Sequence, residues 1–77
     1  MRKYTIILEP DEEEGGYMVI VPALPGCITQ GETISEGIEC AREAITGYIK
    51  SLEAAGERIP AETEWPQAIT ITNDTAA

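Results

Sequence analysis

The first half of the chain carries apolar and β-branched residues in short runs, with the period of two that is typical of β-strands. Three such runs cover residues 4–9, 17–21 and 27–30. Residues 10–16 and 22–26 separate them, and both segments are rich in the proline and glycine that favour turns. Pro10 is expected to end the first strand because it lacks an amide hydrogen. The pattern predicts a three-stranded antiparallel sheet that begins with a hairpin.

The period changes to that of an α-helix after Thr33. Thr33 and Glu36 form a T-x-x-E capping box, in which each side chain accepts a hydrogen bond from an unpaired amide of the first turn. Gly56 stands where a glycine commonly ends a helix. We therefore predict an amphipathic helix over residues 34–55, with Ile45 buried against the sheet. Its apolar stripe consists of Ile34, Ile38, Ala41, Ile45, Tyr48, Ile49 and Leu52.

Two glycines interrupt this helix. Gly37 and Gly47 form, with Cys40 and Ala44, a strip of small side chains along one side. Each glycine costs the helix roughly 1 kcal/mol relative to alanine. They are either simply tolerated or mark a place where another backbone approaches closely.

Apolar and polar residues alternate again near the C-terminus. A polar connector, residues 61–67, leads to residues 68–72 (AITIT), which read as a fourth strand. This strand is expected to pair within the chain or across a dimer. The predicted fold class is α+β, with the element order β-β-β-α-β in a single domain, residues 1–77, whose core covers about residues 3–60.

The first two strands carry apolar residues on both faces of the predicted sheet. In the first strand Leu8 points to one face and Ile7 to the other, and in the second strand Val19 points to one face and Ile20 to the other. One helix can cover only one face, and an uncovered apolar face usually marks an interaction surface. A chain of 77 residues also has a marginal core. We therefore expect a homo-oligomer, a dimer or higher, with the uncovered face or the C-terminal strand in the interface.

The charge of the chain restricts its partners. Fourteen acidic and five basic residues give a net charge of −9. Nucleic-acid phosphates would be repelled by the chain alone, whereas a basic protein surface would be complementary. The apolar runs are too short for a membrane span or a secretory signal. A cytoplasmic location is expected, where Cys27 and Cys40 stay reduced.

Candidate catalytic groups are missing from the sequence. The chain has no histidine, which removes Ser-His and Cys-His pairs and leaves too few ligands for a tetrahedral zinc site. No enzyme activity, metal or cofactor is therefore expected. Instead, the acidic side chains of the first turn and of the helix are the candidate partner-binding residues. They are Asp11, Glu12, Glu13, Glu14, Glu36, Glu39 and Glu43.

The run GYMVIVPALPGCITQGET of residues 16–33, followed by a helix with Glu43-Ala44, then Gly56 and Ile59-Pro60, resembles the HicB-type antitoxin domain. Members of that family share the pattern G-Y-x-V-x-x-P-x-L-P-G-C-x-T-x-G-[DE]-T, followed by an amphipathic helix, a glycine and an apolar-proline pair. Ala23 stands where a common version of the pattern has an acid, and this difference is expected to remove one surface charge. The matching positions here are Gly16, Tyr17, Val19, Pro22, Leu24, Pro25, Gly26, Cys27, Thr29, Gly31, Glu32, Thr33, Glu43, Ala44, Gly56, Ile59 and Pro60.

The resemblance implies a fold and a partner that the composition does not reveal. The fold would be a partial ribonuclease-H-like fold without its catalytic carboxylates. The partner would be a small basic HicA-like toxin, an mRNA-cleaving ribonuclease whose active site the antitoxin covers. Full-length relatives usually add a C-terminal DNA-binding domain. Too few residues follow the last predicted strand for that domain, so DNA binding by the chain alone is not expected.

Two functions of different classes remain open at this point. The first is an antitoxin that binds and inhibits a small basic ribonuclease. The second is a stand-alone oligomeric protein that serves as a structural or regulatory module without a toxin. A neighbouring gene for a small basic protein with one histidine would favour the first.

Overall fold

A computed structural model of the chain describes residues 2–62 and 68–75. Over these residues it has an α+β architecture, with a three-stranded antiparallel sheet in the order β1-β2-β3 and one helix. The fold class predicted for this part of the chain and the predicted helix bounds are therefore confirmed. The elements are β1 (Ile7–Pro10), β2 (Tyr17–Ile20), β3 (Ile28–Gly31) and α1 (Ile34–Ala55).

Strands β1 and β2 are shorter than predicted, and β3 is shifted by one residue. Strand β1 begins at Ile7, three positions later than expected, and includes Pro10, which pairs with Tyr17 at the last position of the ladder. Pro10 was predicted to end the strand before this position. A proline without an amide hydrogen is tolerated at the end of an edge strand, because the lost donor is not needed there.

The first two strands meet in the predicted hairpin. Gly15 and Gly16 both have positive φ values, of 80° and 74°. A Cβ atom at Gly16 would stand 2.6 Å from the carbonyl oxygen of Gly31 in β3. Position 16 therefore needs glycine for two reasons, its backbone angle and the close approach of the neighbouring strand.

Both ends of α1 are capped. The Glu36 amide donates to Thr33 Oγ1 at 3.0 Å, and Glu36 Oε1 accepts from the amide of Glu32 at 3.2 Å. The capping box is thus present, but its second bond reaches one residue further back than the motif predicts. At the other end Gly56 is left-handed, with a φ of 69°, and the amide of Glu57 bonds to the carbonyl of Leu52 at 2.9 Å.

Helix α1 packs over β3 and β2. A Cβ atom at Gly31 would stand 2.5 Å from the amide nitrogen of Gly37, so the backbones of β3 and α1 are in close contact. Gly37 is therefore a site of backbone approach, and its own added Cβ would lie 3.1 Å from a methyl group of Leu8. Gly47 differs, because a Cβ atom there would meet nothing within 4 Å.

The centre of the core lies in the loop between β2 and β3 rather than on the helix stripe. Leu24 has no exposed surface, Val21 is 1% exposed and Cys27 is 6% exposed. Ile45 packs against this cluster but is only half-buried, so its predicted burial is confirmed only in part. Ala23 is 4% exposed, and the expectation that this position lies on the surface is also wrong.

Two tyrosine hydroxyls tie the surrounding segments to the core. Tyr48 of α1 donates to the carbonyl of Pro25 at 2.7 Å, which holds the buried loop beneath the helix. Tyr4 donates to the carbonyl of Pro60 at 2.7 Å, which brings the segment after the helix back to the start of the chain. Both tyrosine rings pack against the core cluster.

The last predicted strand is not formed in the single chain. Residues 68–75 have no regular secondary structure and are exposed throughout. The predicted pairing of residues 68–72 within the chain is therefore absent, because nothing buries their apolar side chains; pairing across a dimer stays a prediction. Of the predicted connector, residues 63–67 lie outside the described residues. Ile34, the first member of the helix stripe, is 53% exposed.

Candidate functional site

The face of the sheet opposite α1 carries a row of apolar side chains, of which Ile7 and Ile20 are partly buried, beside the polar Glu9 and Gln30. Ile7 pairs with Ile20, and Ile20 pairs with Ile28, so the three side chains form one row across all three strands. Ile28 is 57% exposed and Met18 is 38% exposed. We call these four residues the open face.

Acidic side chains border one end of the open face. Met18 pairs with Glu9 of β1, and both line a shallow depression of ≈ 420 Å³ with Glu12 and Glu13 of the hairpin loop. An apolar centre beside acidic groups suits a basic partner, since apolar burial supplies affinity while charges at the edge speed encounter.

Asp11 holds the hairpin loop in shape. Its Oδ1 atom accepts hydrogen bonds from the amides of Glu13 and Glu14, each at 3.1 Å. Its own amide bonds to the carbonyl of Gly16 at 2.9 Å. The Asp11 carboxylate is therefore used within the loop, whereas the side chains of Glu12, Glu13 and Glu14 are exposed.

A second acidic cluster lies where the hairpin loop meets the start of α1. Asp11 and Glu14 face Glu32 and Glu36 across a depression of ≈ 300 Å³. The Glu36 carboxylate is already engaged in the helix cap. No group of acids, cysteines or histidines within residues 2–62 and 68–75 has a geometry that could hold a metal ion.

The remaining predicted contact residues lie on the outer surface of α1. Glu39 Oε1 is 3.4 Å from Arg42 Nε, and both side chains are more than 70% exposed. Such a pair contributes little to stability. Glu43 also has Arg42 and Lys50 nearby, so this surface is of mixed charge. The seven predicted residues are thus divided among the edge of the open face, the start of α1 and the outer helix.

Sequence reasoning missed several residues of these surfaces. Glu9 and Glu32 join the acidic groups, and Met18 with Ile28 contributes the exposed apolar centre. Strand alternation alone could have placed Glu9 on the face of Ile7. The proximity of Glu12 and Glu13 to Met18 could not be found in this way, because it depends on how the loop folds back.

Both cysteines are free thiols. Burial raises the pKa of the Cys27 thiol above its ordinary value, which favours the neutral form. A neutral, buried thiol is a poor nucleophile. Cys27 is therefore part of the core, where it packs with Val21 and Leu24.

The described part of the chain contains no helix that is long and apolar enough to cross a membrane. Its single helix, α1, has 22 residues, but its charged side chains interrupt the apolar positions throughout.

Comparison with known proteins gives consistent similarities. Residues 4–74 match the family described as the HicB-like antitoxin of bacterial toxin-antitoxin systems. A UPF0150 protein of Thermoplasma acidophilum is 53% identical over 58 residues, which cover 75% of this chain and 83% of the relative. A UPF0150 protein of Synechocystis is 46% identical, over 77% of this chain and 73% of the relative. Antitoxin HicB 1 of Photorhabdus laumondii is 40% identical, over 75% of this chain and 37% of its own length.

Proposed function

The chain belongs to the HicB-like antitoxin family of bacterial toxin-antitoxin systems, and from this premise we propose that it binds a small basic HicA-like ribonuclease and inhibits it by covering its active site. The family supports an antitoxin role, with a toxin as partner. The chemistry expected of the chain is recognition rather than catalysis.

The observation that carries this proposal is the open face with its acidic border. Ile7, Ile20 and Ile28 form a continuous apolar row across the three strands, and Ile28 is 57% exposed. A partner that buries this row would gain most of its affinity there. Glu9, Glu12 and Glu13 at the border would meet basic groups around the toxin's RNA-binding surface.

The net charge of the chain and its distribution support a basic protein as the partner rather than a nucleic acid. The net charge of −9 on 77 residues produces a field that attracts cations over the Debye length. Glu36, Glu39 and Glu43 lie on α1, on the other side of the sheet from the open face, and would contribute to this field rather than to contact. Asp11 would contribute by holding the loop, and Glu14 by adding charge beside it.

The proposal includes the assembly of the chain. The protein would act as one domain, as a homo-oligomer of two or more copies, in the cytoplasm where mRNA is cleaved. The order of its strands and the single covering helix also agree with a partial ribonuclease-H-like fold, in which a C-terminal strand would complete the sheet.

A second candidate is a stand-alone oligomeric module without a toxin. This candidate is favoured by the relatives that are of similar length to this chain, because they are not named as antitoxins. The two UPF0150 proteins match over 83% and 73% of their lengths, and their names mention no toxin. The antitoxin from Photorhabdus laumondii matches over only 37% of its length.

The experiment that decides between the two uses the product of the adjacent gene. The full chain is titrated into that protein, and both binding and cleavage of a single-stranded RNA are measured. The antitoxin proposal predicts a stoichiometric complex in which cleavage is lost. Absence of binding at low and moderate salt would contradict it and leave the stand-alone module. Binding with full RNA cleavage would retain a partner but contradict the covering of the active site.

A further inference from the structure

A groove runs between the start of the chain and helix α1. Because α1 packs over β3 and β2, it leaves the side of β1 less covered. The groove has a volume of ≈ 600 Å³. Its floor is apolar and half-buried, and it lies on the helix side of the sheet, away from the open face. The floor is lined by Tyr4, Ile6, Ile38, Ala41 and Ile45.

The groove lies beside an unpaired strand edge. Within residues 2–62 and 68–75, β1 pairs only with β2 and its outer edge has no strand neighbour. Two positions before β1, the amide of Thr5 is already bonded to the Glu62 carboxylate of the same chain at 3.0 Å, so the open part of the edge is β1 itself. The Asp11 amide bonds to the Gly16 carbonyl, and in the register of β1 with β2 this makes Glu9–Met18 and Ile7–Ile20 the hydrogen-bonded pairs, so Leu8 and the carbonyl of Pro10 face outward. An added strand could pair with these groups.

The chain itself contains a segment with the matching pattern. Residues 68–72 alternate as AITIT. Ile69 is 77% exposed and Ile71 is 83% exposed, the highest values among the large apolar side chains described. Two isoleucines two positions apart point to the same side of a strand, while Thr70 and Thr72 point to the other. This geometry would direct both isoleucines into a groove beside the strand.

Charge at the rim of the groove also matches the segment. Arg2, Lys3 and Arg42 line the groove, which gathers three of the five basic residues of a strongly acidic chain. The only charged residue among residues 68–75 is Asp74, two positions after the alternating run. A segment whose isoleucines fill the floor would bring this acid near the basic rim.

We propose that residues 68–72 of a second copy add as a strand to the outer edge of β1 and insert Ile69 and Ile71 into this groove. The exchange is reciprocal, so that each copy of a dimer supplies one segment and one groove. A second copy is favoured because every residue from 68 to 75 is exposed in the single chain, which shows no packing of the segment onto its own body. This inference rests on the homo-oligomer part of the proposed function and identifies its interface.

Light scattering of the full chain and of three variants tests this interface. The tail variant is Ile69→Ser with Ile71→Ser, and its control is Thr70→Ala with Thr72→Ala on the other side of the same strand. The groove variant is Ile38→Ser. The wild type and the threonine control are expected at a mass of at least two chains of 8.3 kDa. The tail and groove variants are expected at the mass of one chain.

Mixing the variants tests whether the contact is between copies. A tail variant keeps its groove and a groove variant keeps its tail, so their mixture restores one intact contact per pair. We expect dimers to reappear in the mixture. Circular dichroism checks that each variant keeps its helix, and the tail variant alone carries the test if Ile38→Ser does not fold.

Three results would overturn the exchange. A dimeric tail variant would place the interface elsewhere, with the open face as the next candidate. A monomeric wild type whose stability falls in the tail variant would mean that the segment docks on its own chain. A monomeric wild type whose stability is the same as that of the tail variant would mean that residues 68–72 do not occupy the groove, and its occupant would then be another protein. Toxin binding is measured separately, because the open face includes neither the tail nor the groove. A wild-type chain that does not bind the toxin would contradict the antitoxin proposal and leave the exchange untouched.

Discussion

Gly31 of β3 and Gly37 of α1 touch backbone to backbone. A Cβ atom at Gly31 would stand 2.5 Å from the Gly37 nitrogen and 2.7 Å from its Cα atom. This contact sets the distance between the helix and the sheet, because neither backbone can yield without moving a whole element.

Gly31→Ala should therefore destabilise the fold by about 1–3 kcal/mol or more, as overpacking in a core does. Gly47→Ala is the matched control, since an added Cβ there meets nothing within 4 Å and alanine favours the helix. It should leave the free energy of unfolding unchanged or raise it by up to about 1 kcal/mol. Urea unfolding measures both, and equal effects would mean that α1 does not approach β3 closely.

Helix α1 was predictable to the residue because both of its ends are determined locally. Thr33 and Glu36 act within one turn, and Gly56 ends the helix through its own backbone angle. The core could not be located in the same way. The burial of Leu24 depends on a loop folding beneath the helix, where Tyr48 bonds to Pro25, and no local pattern reveals such a contact.

The family pattern explains why the fold was easier to predict than the site. Gly16 and Gly31 allow close backbone approach, Leu24 and Cys27 fill the core, and Thr33 caps the helix. These recognisable positions all stabilise the fold. The side chains of the open face lie between them at variable positions of the pattern, so the resemblance carries less information about the partner surface.

The position of the core leads to a ranked prediction. Leu24→Ala should cost about 2–5 kcal/mol of unfolding free energy, because Leu24 has no exposed surface. Ile45→Ala should cost less, since Ile45 is half-buried on the floor of the groove. Glu39→Ala should change stability by no more than about 0.5 kcal/mol. A larger loss at Ile45 than at Leu24 would place the core on the helix stripe instead of in the loop.

The buried thiol predicts a dependence on alkaline pH. Burial raises the pKa of Cys27, so the folded protein holds the thiol proton more tightly than the unfolded chain. The resulting stability is fully present below about pH 8.5, the ordinary thiol pKa, and is lost as pH rises through the folded value. The urea midpoint should therefore fall at alkaline pH by more in the wild type than in Cys27→Ala.

Thiol labelling provides a second measurement of the same burial. In the native protein Cys40, which is half-buried, should react before Cys27, which is 6% exposed. A Cys40→Ala variant that reacts rapidly without denaturant would contradict a buried Cys27.

The acidic border of the open face predicts electrostatic steering of the toxin. Replacing Glu12 and Glu13 by glutamine should slow association several-fold at low salt and leave dissociation nearly unchanged. Replacing Glu39 and Glu43 by glutamine removes the same charge from the outer helix and should slow association less. Stopped-flow mixing at two ionic strengths measures both. Equal effects would mean that only the total charge matters, and a salt-independent rate would exclude steering altogether.

The open face as the toxin-binding surface is tested most directly by comparing two exposed isoleucines. Ile28 lies on the open face and is 57% exposed, and Ile34 lies at the start of α1 and is 53% exposed. Ile28→Lys and Ile34→Lys change the net charge equally, so any difference in affinity reports position. Calorimetric titration with the product of the adjacent gene should give a dissociation constant about tenfold or more weaker for Ile28→Lys, and one close to the wild type for Ile34→Lys. Wild-type affinity for Ile28→Lys would contradict the assignment of the open face.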